Sequence, residues 1–170
     1  DTKKAFARAG ADVEIFVIKN IVDVKESVDA FAKKVKDSQI IFVPGGFSGG
    51  DEPDGSGKFI TAFFRNKAIK ENVTELLDVR KGLVGGICNG FQALIKLGLV
   101  PYGKITDTVT EDMPTLTFNT IARHQSMLVR TRIASNKSPW LMETQVGEVY
   151  TVPISHGEGR FIANQDMLDK

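Results

Sequence analysis

The sequence predicts an α/β fold: a three-layer, mostly parallel open sheet with late antiparallel strands. Three observations point there. Strand-like and helix-like segments alternate through the first half of the chain. Apolar runs such as residues 39–43 (QIIFV) are unbroken, as in strands covered on both faces. After residue 115, short strand-like stretches follow one another with only turns between them.

The elements follow in order. Residues 2–9 read as a short helix closed by Gly10, and 13–18 as a strand. Over 24–36, Val24, Val28, Phe31 and Val35 recur at helical spacing. Strand 39–43 ends at Pro44, and 44–57 (PGGFSGGDEPDGSG) is too rich in glycine to be an element. Helices are expected over 58–65 and 67–80, the second with Ile69, Val73, Leu76 and Leu77 on one side. Strand 82–87 leads to Cys88, and Phe91, Leu94, Ile95 and Leu99 stripe the helix after it, which Gly98 and Pro101 stop. Strands are expected over 116–119, 127–133, 149–154 and 159–163. With no internal repeat or linker, residues 1–170 are taken as a single domain. The helix-first start predicts an opening strand upstream of Asp1, so the domain is expected to be a piece of a longer chain, cut short at both ends.

Composition excludes several classes. The net charge of +1, without a basic block, argues for neither nucleic acid nor a membrane surface. Apolar runs are far short of a membrane span, and no signal-peptide pattern opens the chain. A single cysteine rules out an internal disulfide and suits a reducing compartment, so a cytoplasmic location is expected.

Three segments carry chemistry. In residues 86–90 (GICNG), glycines two before and two after Cys88 let a strand turn sharply into a helix. That lifts the thiol out at the carboxyl end of the sheet, near a helix N-terminus whose partial positive charge favours a thiolate. A buried cysteine acting as a small hydrophobe shows the same spacing. In residues 155–159 (SHGEG), His156 and Glu158 are two apart and in an extended chain point the same way. The carboxylate can then hold one ring nitrogen and leave the other for a nucleophile. Metal sites and surface turns use such pairs as well, but one cysteine and two histidines are few for a closed zinc site, and no metal is expected. In residues 44–48 (PGGFS), two glycines after a strand allow a backbone N–H to join that of Asn89 in an oxyanion hole. A phosphate loop is excluded, because Glu52 and Phe59 stand where it needs glycine and a hydroxyl. His124, without a nearby carboxylate, is read as a surface or site-lining residue.

Together, GICNGFQ, SHGEGR and GGFS with its acidic glycine loop resemble the class I (triad) glutamine amidotransferases, whose fold is flavodoxin-like. Within that group the chain resembles the glutaminase domain of phosphoribosylformylglycinamidine synthase, in wording closer to its large single-chain form. The matching stretches run over 44–161. The resemblance implies that Cys88 attacks the amide of glutamine, His156 moves the proton and Glu158 orients His156. It further implies Gly46 and Asn89 as oxyanion donors, with Phe47 as the alternative, and Gln92, Gly45 and Asn119 as glutamine contacts. Ammonia would pass to a synthetase domain, in the same or a partner chain, that uses ATP and magnesium to make formylglycinamidine ribonucleotide in purine biosynthesis. This domain would need no cofactor of its own. Relatives often carry Arg-Phe-Glu where this chain has Arg123, His124 and Gln125. Two other readings compete: a DJ-1/PfpI-like cysteine hydrolase, which typically has histidine directly after the cysteine where this chain has Asn89, and a non-catalytic docking domain of the same fold.

Overall fold

The computed structural model describes residues 1–19, 23–46 and 56–169. Phe47 and most of the acidic glycine loop lie outside the described residues. The chain divides into two compact units, one of Asp1–Leu116 with Phe161–Lys170, the other of Thr117–Arg160.

The first unit holds the parallel pair. Strand β1 (Ile40–Val43) runs beside β2 (Leu83–Gly86), Ile40 opposite Leu83 and Val43 opposite Gly86. Helices α1 (Thr2–Arg8), α2 (Val24–Asp37), α3 (Lys58–Phe64), α4 (Lys67–Thr74) and α5 (Asn89–Leu97) belong to the same unit. Their apolar faces meet in one core, in which Ile69, Val73, Leu76, Ala93 and Leu97 are fully buried. Each of the larger aliphatic side chains contributes about 1.5–3 kcal/mol by leaving water. Arg80 ties this core together at its edge: Nη1 donates to Ser38 O (2.6 Å) and Nη2 to Val35 O (2.7 Å), satisfying carbonyls at the end of α2.

Several elements differ from expectation. Residues 13–18 run as irregular chain, not a strand, because a strand needs a ladder and these residues have no ladder partner among the described residues. Ile15 and Val17 are accordingly exposed. The helix expected over 67–80 ends at Thr74 and continues as a π-helical turn, Glu75–Val79, in which Arg80 N–H bonds Glu75 O. Gly98, at φ +87°, does stop α5, but Leu99–Tyr102 then forms a further short helix, α6, that includes Pro101. Phe91 is 37% exposed and stands off the buried stripe.

The second unit is built on a hairpin. Strand β4 (Gln125–Arg132) pairs antiparallel with β5 (Val149–His156), Gln125 opposite His156 and Arg132 opposite Val149. A 3-10 turn, Pro139–Leu141, lies in the connection, where Ser138 Oγ accepts from Trp140 N–H. Strands β3 (Thr115–Thr117) and β6 (Arg160–Ile162) pair where the chain leaves and re-enters the first unit, and α7 (Gln165–Leu168) follows. The α/β class with late antiparallel strands is what the sequence predicts. Among the described residues the strands lie in three two-stranded sheets, of which β1–β2 is parallel and the later β4–β5 antiparallel. No helix among them is long and apolar enough to cross a membrane.

Candidate active site

Cys88 sits at the strand-to-helix turn that its flanking glycines predict. β2 ends at Gly86, Ile87 N–H still reaches Val43 O (3.1 Å), and α5 begins at Asn89. Between them Cys88 takes φ +54°, ψ −115°, a conformation L-residues rarely adopt. The glycines are sterically required. A Cβ on Gly86 would lie 2.8 Å from Gly90 C, and one on Gly90 would overlap Val43 O. The thiol is exposed, so the reading of Cys88 as a small buried hydrophobe does not hold.

Around it lie most of the other predicted residues of this unit. Gly45 touches the nucleophile, since a Cβ there would be 2.9 Å from Cys88 Cβ and 3.6 Å from Sγ. Gly46, at φ +130°, has a backbone that glycine alone adopts readily. Asn89 and Gln92 are buried polar residues in the first turn of α5, and Gln92 N–H bonds Cys88 O (2.9 Å). Gly90 N–H is committed to Ile87 O (3.0 Å). A cavity of about 450 Å³ in the same unit is lined by apolar Phe31, Ile41 and Phe64 and reaches Gly45, Gly46 and Asn89, while Cys88 itself does not line it.

The other predicted residues belong to the second unit. His156 is the last residue of β5, half-buried, and the chain bends at Gly157 directly after it. Extended-strand alternation therefore stops before Glu158, which is 9% exposed. The atom hydrogen-bonded to His156 Nδ1 is Asn119 Oδ1, at 3.0 Å. Asn119 was expected from the sequence as a glutamine contact; here it is bound up with the histidine loop. Its backbone N–H reaches Gly157 O (2.8 Å), and its side chain also bonds Gly159 N–H, His156 O and Arg123 O. Gly159 packs on the imidazole so closely that a Cβ there would overlap Cε1 and Nδ1. His124 is exposed with Nε2 2.8 Å from Ser155 Oγ, away from any role on Nδ1 of His156. The Asn119–His156 pair, 37 residues apart, has no local sequence signal that could have found it.

An exposed, strained cysteine on a sharp turn between a parallel strand and a helix is the feature that this unit shares with the nucleophile-elbow folds. The whole chain, residues 1–170, matches the family described as the CobB/CobQ-like glutamine amidotransferase domain, and it belongs to that family. Among its relatives, the phosphoribosylformylglycinamidine synthase subunit PurQ of Methanococcus maripaludis is 34% identical over 165 residues, 97% of this chain and 55% of the relative. The subunit PurQ of Treponema denticola is 34% identical over 177 residues, 99% of this chain and 61% of the relative. The chain thus spans little more than half the length of these curated relatives. The solved structure of PurLQS from Thermotoga maritima is similar, with a TM-score of 0.58 and 25% identity over 82% of this chain and 64% of that one. The expected likeness to the large single-chain form is corrected by these relatives, which are separate PurQ subunits. The motifs read from the sequence lie on the elbow at Cys88 and on neighbouring loops, which both forms are expected to share, and so do not separate them.

Proposed function

We propose that this chain carries the glutaminase chemistry of phosphoribosylformylglycinamidine synthesis. The observation that carries the reading is the exposed Cys88 held at φ +54° on a turn whose glycines admit no side chain. Cys88 Sγ attacks the side-chain amide carbon of glutamine, and the carbonyl electron pair moves to oxygen. The N–H groups of Gly46 and Asn89 receive that oxyanion, each such donor worth about 3 kcal/mol in the transition state. Gly90 N–H, already bonded to Ile87 O, is not available for the task. His156 delivers the thiol proton to the amide nitrogen, ammonia leaves, and a glutamyl thioester remains. A water activated by the same imidazole then releases glutamate and restores the thiol. Glu158 stabilises the imidazolium that forms in each half, and Gln92 and Gly45 border the bound glutamine.

The ammonia is passed to a synthetase partner, where ATP and magnesium drive amidation of formylglycinamide ribonucleotide. The domain itself uses no cofactor. Membership of the amidotransferase family along the whole chain favours this reading over a DJ-1/PfpI-like hydrolase. The test is ammonia release from glutamine by the full parent chain with its synthetase partner, together with mapping of the adduct left by diazo-oxo-norleucine. Cys88→Ala is expected to abolish both. Equal release by wild type and Cys88→Ala, or an adduct at another residue, would overturn the assignment of Cys88, and no release by the wild type would leave a docking domain without catalysis.

A further inference from the structure

We infer that Asn119 is the positioning residue that fixes the proton of His156 on Nδ1 and keeps Nε2 as the basic nitrogen. The inference rests on His156 acting as the base proposed above. It follows from a hydrogen-bond count. The carboxamide of Asn119 has two donor hydrogens and two acceptor sites. Nδ2 donates to Arg123 O (3.0 Å) and His156 O (2.9 Å), both carbonyls that accept only. On the other side Oδ1 accepts from Gly159 N–H at 3.0 Å, a group that donates only. These three backbone partners decide which way the amide faces, because turning it over would set Nδ2 against an N–H and Oδ1 against two carbonyls.

With the amide so oriented, the one contact left is Oδ1 to His156 Nδ1, 3.0 Å. Oδ1 accepts, so Nδ1 must donate. The neutral ring then carries its hydrogen on Nδ1 and presents a lone pair at Nε2, the form a general base requires. Gly159 also confines the ring, its backbone lying against Cε1 and Nδ1 where any Cβ would overlap the imidazole. The register of the hairpin supports the arrangement: His156 is paired with Gln125, which brings its carbonyl and that of Arg123 to one amide. Sequence pattern gives the orienting task to Glu158. Asn119 shares it, setting the tautomer while the carboxylate serves the imidazolium.

The experiment reads the proton directly. Long-range proton–nitrogen correlation spectra are recorded on the full chain at a pH where the imidazoles are neutral. The 170 residues hold two histidines, and the ring signal of His156 is assigned as the one that His124→Gln leaves unchanged and His156→Gln removes. The expected result is a pyrrole-type Nδ1 and a pyridine-type Nε2. Asn119→Leu is expected to lose that pattern and lower kcat on the order of 10²-fold, the low end of general-base catalysis, with KM for glutamine little changed. Asn119→Asp keeps an acceptor on Nδ1 and should retain the Nδ1–H form, which a purely structural role for the amide would not predict. A wild-type ring protonated on Nε2, or an Asn119→Leu ring still protonated on Nδ1, overturns the inference. The wild-type spectrum decides even where a variant fails to fold. It is also independent of ammonia release, so an Nδ1–H ring in a chain without glutaminase activity would defeat the proposed function alone.

Discussion

Cys88 stores strain in its own backbone, since φ +54° with ψ −115° presses Cβ against neighbouring peptide atoms. Such a conformation costs about 1–3 kcal/mol in a residue with a side chain, and it persists because Gly86, Gly90 and Val43 leave no alternative path. Removing the thiol therefore has two distinct outcomes. Cys88→Ala keeps the strain, whereas Cys88→Gly relieves it at an entropic cost of about 0.5–1 kcal/mol. Cys88→Gly is expected to be more stable than Cys88→Ala by about 1 kcal/mol in denaturant unfolding, although both lack the nucleophile. Equal midpoints would mean the elbow is unstrained. At this scale the sequence was informative: the spacing of two glycines about a cysteine encodes a local backbone path, and local paths need no distant partner.

Between residue and molecule, the β4–β5 hairpin carries its own electrostatic device. Glu148 Oε2 accepts from Gln145 N–H (2.9 Å) and from Tyr150 Oη–H (2.8 Å). The backbone bond from Gln145 first, and the phenol second, hold the Glu148 carboxyl below the usual carboxylate range. The same bond raises Tyr150, whose ionisation would set two negative charges side by side. The sign follows from each direction. A lowered carboxyl favours the folded turn above its unfolded value and loses that contribution as pH falls through its folded one. A raised phenol contributes below its unfolded value and loses it as pH rises through its folded one. The Gln145 amide resonance is expected to report turn opening at both acid and alkaline extremes, and Glu148→Gln to flatten the acid limb. An unchanged acid limb in that variant would show that another group opens the turn. Elements were legible where a period was complete, as in α2 and α5: Val28, Val35, Leu94 and Ile95 of the expected stripes are buried, while Val24 and Phe91 at their starts are exposed. They were not legible where hydrogen bonding decides. Residues 13–18 have strand-like composition but no ladder partner among the described residues, and the π-turn at Glu75–Val79 leaves no mark in the apolar pattern.

For the molecule as a whole, the proposed chemistry draws on both compact units, Cys88 from one and His156 from the other. Their cooperation gives a measurable expectation. His156→Ala should slow labelling of Cys88 by diazo-oxo-norleucine by about 10²–10⁴-fold, the usual worth of a positioned acid–base group. Labelling by iodoacetamide, which needs no glutamine site, should change far less. If both reagents slowed equally, the histidine would be acting on the thiol's exposure alone, and the shared site would be lost.

What the sequence determined by itself is what short-range sterics and periodicity govern: the α/β class, the elbow at Cys88, the strand from Val149 that leads into the His156 segment and the family these motifs mark. Only the tertiary structure decided which atom meets the imidazole. Asn119 and His156 are brought together across 37 residues by strand register and by three backbone groups that fill the rest of one amide. A hydrogen bond of that kind has no spacing rule, because its geometry is set by chain segments that meet only after folding.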